Sequence, residues 1–151
     1  MKSVGSSGSG TLPAIVISLL LARSVEAETL IVSNTSDIVN GNTRDPAALV
    51  ASPGTDGISL PEAMLAVHGS PGPHTITFAP ELLKQTIALS RGLNLVQDNV
   101  TILGITDADG ASGITIDGAN VSGIVLEIRA SNVSVSHLRF ERIRLFNIRI
   151  R

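Results

Sequence analysis

The chain contains no cysteine, no tryptophan and no tyrosine, and phenylalanine occurs only three times. Without cysteine, a disulfide framework and a thiolate metal site are both excluded. Because aromatic side chains are so few, valine, isoleucine and leucine must fill the core, and these residues pack well in stacked strands. The composition therefore indicates a strand-rich protein with an aliphatic interior.

Charge of either sign is also scarce. Charged residues make up 16% of the 151 residues, and the formal net charge is −2. This balance gives no electrostatic basis for binding nucleic acid, so we expect no nucleic-acid partner. The length suits one ordinary domain or a piece of a larger protein.

Residues 1–27 predict a secretory signal peptide. Lys2 precedes an apolar run from about Thr11 to Ala22, and Val25 and Ala27 have the spacing of a cleavage site. The run is shorter than the roughly 20 residues that a membrane-spanning helix needs. An alternative interpretation is a linker-like start, SSGSG, followed by a buried helix. The first interpretation predicts a secreted or cell-surface protein that does not span the membrane after signal removal.

The phrase GISLPEAMLAV is the clearest helical pattern in the chain. Ser59 and Glu62 have the S-x-x-E spacing of a capping box, in which each side chain bonds the backbone N–H of the other. Apolar residues then recur at helical spacing: Leu60, Ala63, Met64 and Val67. A helix of about nine residues is too short to be stable alone, so we expect it to pack on other structure. The preceding residues 38–57 are rich in Asn, Gly, Pro and Asp, which predicts a loop.

Short apolar strands separated by turns surround this helix. Leu30 and Val32 indicate a first strand. The strands predicted after the helix are Thr75–Phe78, Thr86–Leu89, Leu93–Val96, Val100–Leu103, Ile114–Asp117, Ile124–Ile128 and Val133–Phe140. Three architectures accommodate them: an antiparallel sandwich, a barrel, or a coil in which each strand stacks on the equivalent strand one turn later.

Related phrases favour the coil. NVTILG, GITIDG, GIVLEI and NVSVSH recur as turn-and-strand units, which is typical of a solenoid with a narrow aliphatic interior. In such a coil we expect parallel pairing along the axis, with Ile102 and Ile116 pointing inward. The helix would then cover the open end of the first winding, where an unpaired edge invites aggregation.

The segment GISLPEAMLAVHGSPGPHTITF resembles the N-terminal segment of secreted right-handed parallel β-helix proteins of the pectin-lyase-like superfamily. That segment carries the phrase C-S-L-R-E-A-I, followed by a Pro-Gly turn and a D-T-I-x-F strand. The resemblance extends from about Leu30 to Arg139. It implies an all-β fold, the N-terminal part of a right-handed parallel β-helix, with a short amphipathic capping helix. The residues of this structural cap are Ser59, Leu60, Glu62 and Met64.

The chain departs from the family pattern at five positions. Ile58 stands for its cysteine, Pro61 for its arginine, Met64 for its isoleucine, His68 for its asparagine and His74 for its aspartate. The retained residues are those of the capping box, the apolar face and the turn. They imply the scaffold more strongly than an activity, since the family includes adhesin-like surface proteins as well as carbohydrate-active enzymes.

The predicted organisation has three parts. Residues 1–27 are the signal peptide, residues 28–74 are the N-terminal strand, loop and capping helix, and residues 75–151 are the first rungs. Because the chain ends within an alternating strand pattern, we expect these rungs to be truncated from a longer polypeptide.

Candidate chemical residues are few. Asp107 and Asp109 beside Gly110 have the alternation of calcium ligands, but a third acidic ligand and a closing Glu are missing from this stretch. An Asp-Gly turn is the simpler interpretation, and Asp117 before Gly118 has the same one. We therefore expect no cofactor, and Ca²⁺ has no sufficient ligand set in the sequence.

The C-terminal part of the chain is basic. Lyases of the resembling class use clustered acidic calcium ligands and a basic residue; the nearest residues here are Glu127, Arg129, His137, Arg139 and Arg142. No acidic trio accompanies them, so no catalytic residue is assigned. Arg129, Arg139 and Arg142 are instead candidates to face an acidic polysaccharide or a cell-surface glycan, with a solvated strand face as the alternative.

Other polar residues have structural interpretations. His68 and His74 have no nucleophile at informative spacing and are interpreted as structural. Four Asn-x-Ser/Thr triplets suit glycan attachment or turns: Asn34, Asn99, Asn120 and Asn132. The sequence thus predicts an exported or cell-surface scaffold that is adhesin-like or glycan-binding. The alternative is the N-terminal portion of a polysaccharide lyase or glycoside hydrolase.

Overall fold

A computed structural model describes residues 27–143. The predicted signal peptide, apart from Ala27, and the end of the basic tail lie outside the described residues. The helices are α1 (Pro46–Ala51) and α2 (Leu60–Ala66), with 3₁₀ turns at Val67–Gly69 and Pro80–Leu82. The strands are β1 (Glu28–Val32), β2 (His74–Phe78), β3 (Gln85–Ala88), β4 (Leu93–Leu95), β5 (Val100–Leu103), β6 (Ile114–Asp117), β7 (Leu126–Ile128), β8 (Ser134–Ser136) and β9 (Leu138–Glu141).

These strands form three parallel sheets with the orders β1-β2-β5-β8, β3-β6-β9 and β4-β7. Every neighbouring pair of these strands runs parallel. The expected parallel pairing is therefore confirmed, and the antiparallel sandwich is wrong for residues 27–143. None of the three sheets closes on itself, so the barrel alternative is wrong for the same residues.

The parallel register aligns apolar side chains from strand to strand. In the first sheet Leu30 lies beside Ile76, which lies beside Ile102. In the second sheet Ile87 lies beside Ile116. All five are buried, so the expectation that Ile102 and Ile116 point inward is confirmed. Burial of these aliphatic rows removes apolar surface from water and is the main source of stability in the stack.

The predicted strand Val133–Phe140 is two strands. His137 has a φ of 55°, a left-handed conformation that interrupts an extended strand. The chain turns there, so β8 pairs with β5 in the first sheet and β9 pairs with β6 in the second. The sequence predicted one continuous strand because polar and apolar residues alternate on both sides of this corner. That prediction is wrong, since the two halves belong to different sheets.

A short helix occupies part of the predicted loop. α1 begins after Asp45, whose side chain accepts a hydrogen bond from the Ala48 N–H, and Pro46 occupies the first turn. Proline is suited to that position because its missing N–H has no partner there in any helix. Leu49 from this helix is fully buried, so the segment 38–57 contributes to the core as well as connecting β1 to α2.

Along the chain, the strands visit the three sheets in a fixed order: β2, β3, β4, then β5, β6, β7, then β8 and β9. α2 precedes β2, where this order would place a strand of the third sheet, and it packs against β4 and β1. Leu60 and Met64 from α2 line one small internal cavity together with Ile102, Ile116 and Leu126. The helix thus lies against the aliphatic interior, and its role as the cap of a coil stays a prediction.

The amphipathic description of α2 requires a correction. Pro61 and Glu62 are buried together with the apolar face, whereas Leu65 is 44% exposed. The polar residue is therefore inside and an apolar residue is outside, because Glu62 has hydrogen-bond partners in the preceding loop. Among residues 27–143, no helix combines the length and apolar character that crossing a bilayer requires.

Candidate functional site

Glu62 is the best-satisfied polar group of the cap. Its side chain is fully buried, and its carboxylate accepts hydrogen bonds from the N–H groups of Asn40 (2.7 Å), Gly41 (2.6 Å) and Ser59 (2.8 Å). The Ser59 hydroxyl donates to the Ile38 carbonyl at 2.9 Å and receives the Glu62 N–H at 3.4 Å. The capping box is present, and Glu62 also ties residues 38–41 to the helix. Because its oxygens are occupied by backbone donors, this carboxylate is structural.

Arg129 and Arg139 each lie beside an acidic residue. Arg129 follows β7 in the third sheet and pairs with Glu127 at 2.8 Å. Arg139 lies within β9 of the second sheet and pairs with Glu141 at 2.8 Å. The two arginines therefore belong to different sheets, and each has a carboxylate that partly neutralises it.

Arg142 lies just beyond β9 and pairs with Asp117 at the end of β6. Its Nε donates to Asp117 Oδ1 at 2.8 Å, and its Nη2 donates to the other carboxylate oxygen. The Ala119 N–H donates to Asp117 Oδ1 at 3.0 Å. The Ala119 hydrogen bond, followed by the Arg142 hydrogen bond, lowers the pKa of Asp117. Asp117 therefore links two windings as well as shaping the turn that the sequence predicted.

The Asp107–Asp109 segment is a closed turn. The Asp107 side chain accepts hydrogen bonds from the N–H groups of Asp109 (3.1 Å) and Ala111 (3.0 Å). Thr106 and Ser112 form an isolated antiparallel bridge at its base. Groups of three or more acidic, His or Cys side chains that could hold a metal do not occur within residues 27–143.

His74 lies next to a serine and a carboxylate that the sequence did not associate with it. Its ring is buried; Nε2 is 2.9 Å from the Ser70 carbonyl oxygen and 3.5 Å from the Ser70 hydroxyl. Its Nδ1 is 3.6 Å from Glu28 Oε2, with no hydrogen-bond partner among the described residues. A hydrolytic triad needs Nε2 to accept the serine proton. Here His74 Nε2–H donates to the nearer Ser70 carbonyl, so His74 is not a base for this serine, whose hydroxyl donates to Glu28 Oε2 at 3.3 Å.

An open cleft of about 330 Å³ separates α2 from β4. Its apolar lining consists of Val39, Pro61, Met64, Leu65, Leu93 and Val96. Its polar lining includes His68, Arg91 and Asn94. Few signals in the sequence could have indicated this cleft, because its walls come from three separate segments.

Two groups at the cleft are oriented by hydrogen bonds. His68 Nε2 accepts the Val96 N–H at 3.3 Å, so the neutral ring carries its proton on Nδ1. Burial lowers the pKa of His68, which favours that neutral form. Arg91 Nη2 donates to the Asp37 carbonyl at 3.3 Å. Arg91 has no carboxylate within 4.0 Å in the described part of the chain.

Two of the Asn-x-Ser/Thr sites occupy equivalent turns. Asn99 and Asn132 have φ values of 60° and 55°, and the Asn132 amide donates to Asn99 Oδ1 at 3.0 Å. Asn34 donates to the Asp56 carbonyl at 2.9 Å. Asparagine tolerates the left-handed conformation better than most residues, which explains its use before β5 and β8. Asn120 is an exposed turn residue.

Comparisons with protein-family models, with curated proteins and with solved structures find no match to this chain.

Proposed function

We propose that residues 27–143 are the N-terminal part of a right-handed parallel β-helix, and that the protein is an exported or cell-surface scaffold. The observation that supports this proposal is the repeated strand order through three parallel sheets, with an aliphatic row in the same register at each level. Connections between parallel strands of one sheet are right-handed in almost all proteins, which favours that hand. The resemblance at residues 57–78 points to the same class.

The outer face of the first sheet supports a glycan-binding or adhesive role for this scaffold. Thr29, Thr75, Thr101 and Ser134 are aligned neighbours on β1, β2, β5 and β8, and each is exposed or half-buried. Neighbouring strands are about 4.8 Å apart, so these hydroxyls repeat at that spacing. A row of repeated donors and acceptors suits the repeated hydroxyls of a polysaccharide better than it suits a compact ligand.

A lyase or hydrolase is the second candidate, and the geometry supports it less. The candidate arginines lie on two sheets, and each has an acidic partner. An arginine that takes a substrate proton would need release from such a partner. The residues Arg129 and Arg139 nevertheless provide the test that separates the two functions.

The test applies the secreted chain to immobilised polygalacturonate and to an immobilised uncharged polysaccharide, and measures how much of the chain each retains. We expect retention without release of product, measured with and without Ca²⁺ as the ultraviolet absorbance of unsaturated sugars for a lyase and as new reducing ends for a hydrolase. Thr101→Val, which removes a hydroxyl and keeps the shape, should weaken retention, whereas Thr86→Val on another sheet should not. Calcium-dependent product release that is lost in Arg129→Gln or Arg139→Gln would establish the enzyme instead. Neither retention nor product would exclude both functions.

Export has a separate test. Signal-peptide removal after Ala27 predicts that the secreted chain begins at Glu28, which intact-mass spectrometry measures directly. Recovery of the chain only inside cells, with residues 1–27 attached, would contradict the proposed localisation.

A further inference from the structure

The cleft between α2 and β4 has the size and lining of a small ligand site. Ligand pockets are mostly apolar with a few polar groups, and this cleft of about 330 Å³ lies near the lower end of their size range. At about 30 Å³ for each water-sized group, the volume suits roughly ten non-hydrogen atoms. Met64 on its wall has a flexible side chain that adapts to the shape of an apolar ligand.

The charge at the cleft is unusual for this molecule. The described part of the chain contains five arginines, of which Arg44, Arg129, Arg139 and Arg142 each have a carboxylate partner. Arg91 is the remaining one: its hydrogen bond goes to the Asp37 backbone carbonyl, and the Asp37 carboxylate binds the neighbouring Ser90, so no carboxylate pairs directly with the Arg91 guanidinium. A cation beside apolar walls favours a ligand that has a carboxylate at one end and hydrocarbon at the other.

His68 reinforces this preference without adding charge. Because its Nε2 accepts the Val96 N–H, the neutral ring has only Nδ1–H left to donate. Asn94 adds an amide at the lining. Donors at the cleft therefore include a guanidinium, an imidazole N–H and a carboxamide, and these suit an acceptor-only group such as a carboxylate.

We propose that this cleft binds a small monocarboxylate with an apolar body of aliphatic or aromatic carbon. Arg91 binds the carboxylate, while Met64, Leu65, Leu93 and Val96 contact the apolar body. The site lies between α2 and β4, apart from the outer face considered for glycans, so it does not depend on the scaffold function proposed above. Ligands of this size bind with modest affinity, and we expect a Kd of about 0.1–1 mM.

The experiment is an NMR titration of the ¹⁵N-labelled chain with octanoate and, as the neutral match of the same size, octanamide. We expect saturable shifts at the Leu65 and Val96 amides, with octanoate bound about tenfold more tightly, since a charged hydrogen bond distinguishes the two. Arg91→Gln should weaken octanoate about tenfold and leave octanamide unchanged. Arg139→Gln removes the same charge from another sheet and should change neither.

Several outcomes would overturn the assignment. Equal affinity for the acid and the amide would identify an apolar groove with no preference for carboxylates. An unchanged octanoate affinity in Arg91→Gln, or shifts that map away from Leu65 and Val96, would place binding elsewhere. If Arg91→Gln fails to fold, Leu65→Trp provides the second test, because its indole should fill the cleft mouth and abolish binding. Octanoate binding that persists in a folded Leu65→Trp chain, or no saturation in the wild type at about 10 mM, roughly ten times the weakest expected Kd, would also exclude the site.

Discussion

The aliphatic interior is enclosed by two regions that are held together differently: the cap, residues 27–73, and the stack, residues 74–143. From β2 to β9 each strand has a parallel neighbour, so backbone hydrogen bonds fix the register. Before β2 only β1 joins a sheet, and the connection to α2 is held by side-chain hydrogen bonds together with isolated backbone bonds, such as that from the Ser33 N–H to the Ile58 carbonyl at 2.8 Å. Glu62 binds Asn40 and Gly41, and Asp37 binds the N–H and hydroxyl of Ser90.

This contrast shows how a helix can replace a strand at the end of a stack. A helix satisfies its own backbone, so it offers no row of donors and acceptors to the segments beside it. The neighbouring loop must then find side-chain acceptors for its N–H groups, since buried donors without partners are strongly unfavourable. Glu62 provides that acceptor for residues 40 and 41. The cap therefore combines buried apolar side chains with a few polar groups that hold its loop, whereas the stack combines similar apolar rows with backbone ladders.

The largest predicted effect is on the apolar row of the stack. Ile116 is fully buried beside Ile87 and Phe140, and it lines the same small internal cavity as the cap residues Leu60 and Met64. Ile116→Ala should lower the free energy of unfolding by about 4 kcal/mol, because it leaves a cavity that a narrow interior cannot collapse to fill. Ile116→Val should lower it by only about 1 kcal/mol. Urea unfolding measures both.

A small effect of Ile116→Ala, comparable with that of Ile116→Val, would contradict this packing. It would mean that the interior is loose enough to close around a missing side chain, and that the rows contribute less than the backbone ladders.

The second prediction breaks the cap. Glu62→Ala removes the acceptor of three backbone N–H groups and should lower the free energy of unfolding by about 3 kcal/mol. Glu62→Gln keeps part of the hydrogen bonding and should have a smaller effect. Glu81→Ala, at an exposed position, should change stability by less than about 0.5 kcal/mol.

Hydrogen exchange makes this test more specific. In a folded Glu62→Gln chain, the amides of Asn40 and Gly41 should lose protection, whereas those of β5 and β6 should keep it. Uniform loss of protection across the chain would show that cap and stack unfold together, and that the two regions are energetically one.

The same contrast explains how much of the structure was predictable from sequence. Ser59 and Glu62 are three residues apart, so their capping box could be predicted locally. The bonds from Glu62 to Asn40 and Gly41 span more than twenty residues and could not be. The strands of the stack were largely located by alternation, because each buries one side in the same way.

Two features of the fold, the corner at His137 and the start of α1, had signals in the sequence. A search for alternating polar and apolar residues does not detect these signals. Apolar residues shift from odd positions, Val133 and Val135, to even positions, Leu138 and Phe140, and the shift falls at the His137 corner. The pair Asp45–Pro46 marked the start of α1 within a segment whose composition suggested a loop. The cleft left no comparable signal because His68, Arg91 and Val39 come together only through the packing of α2 on β4.

A third and smaller effect concerns the turns that separate the windings. Asn99 combines a φ of 60° with a hydrogen bond from Asn132, so Asn99→Ala loses both the tolerance of that conformation and the bond. We expect a loss of about 1–2 kcal/mol in the free energy of unfolding. Asn99→Gly keeps the conformation accessible and loses only the bond, so it should lie between Ala and the wild type. If Gly is no better than Ala, backbone conformation is not what selects asparagine here.

The smallest predicted effect is on the pH dependence of stability, which should differ between the cap and the stack. Burial lowers the pKa of His68 below its ordinary value of 6.5, so the unfolded chain binds a proton more readily and stability falls as pH drops below about 6.5. Hydrogen bonds from Ala119 and Arg142 lower the pKa of Asp117 below 3.8. Its contribution is therefore present above that value and is lost only as the pH falls through the lower folded value. Acid should thus weaken the cap in a higher pH range than it weakens the link between windings.

His68→Gln tests whether His68 causes the loss of stability in the higher pH range, because glutamine can still accept the Val96 N–H but does not titrate. The urea midpoint of the wild type should fall slightly from pH 7 to pH 5, and His68→Gln should remove part of that fall. Asp117→Asn should lower the midpoint by a similar amount at pH 7 and at pH 5, and its difference from the wild type should shrink only below about pH 4, where the carboxylate of the wild type becomes protonated. An identical fall in the wild type and in His68→Gln would mean that the half-buried imidazole does not distinguish the cap from the stack, and that their contrast lies in hydrogen bonding and packing alone.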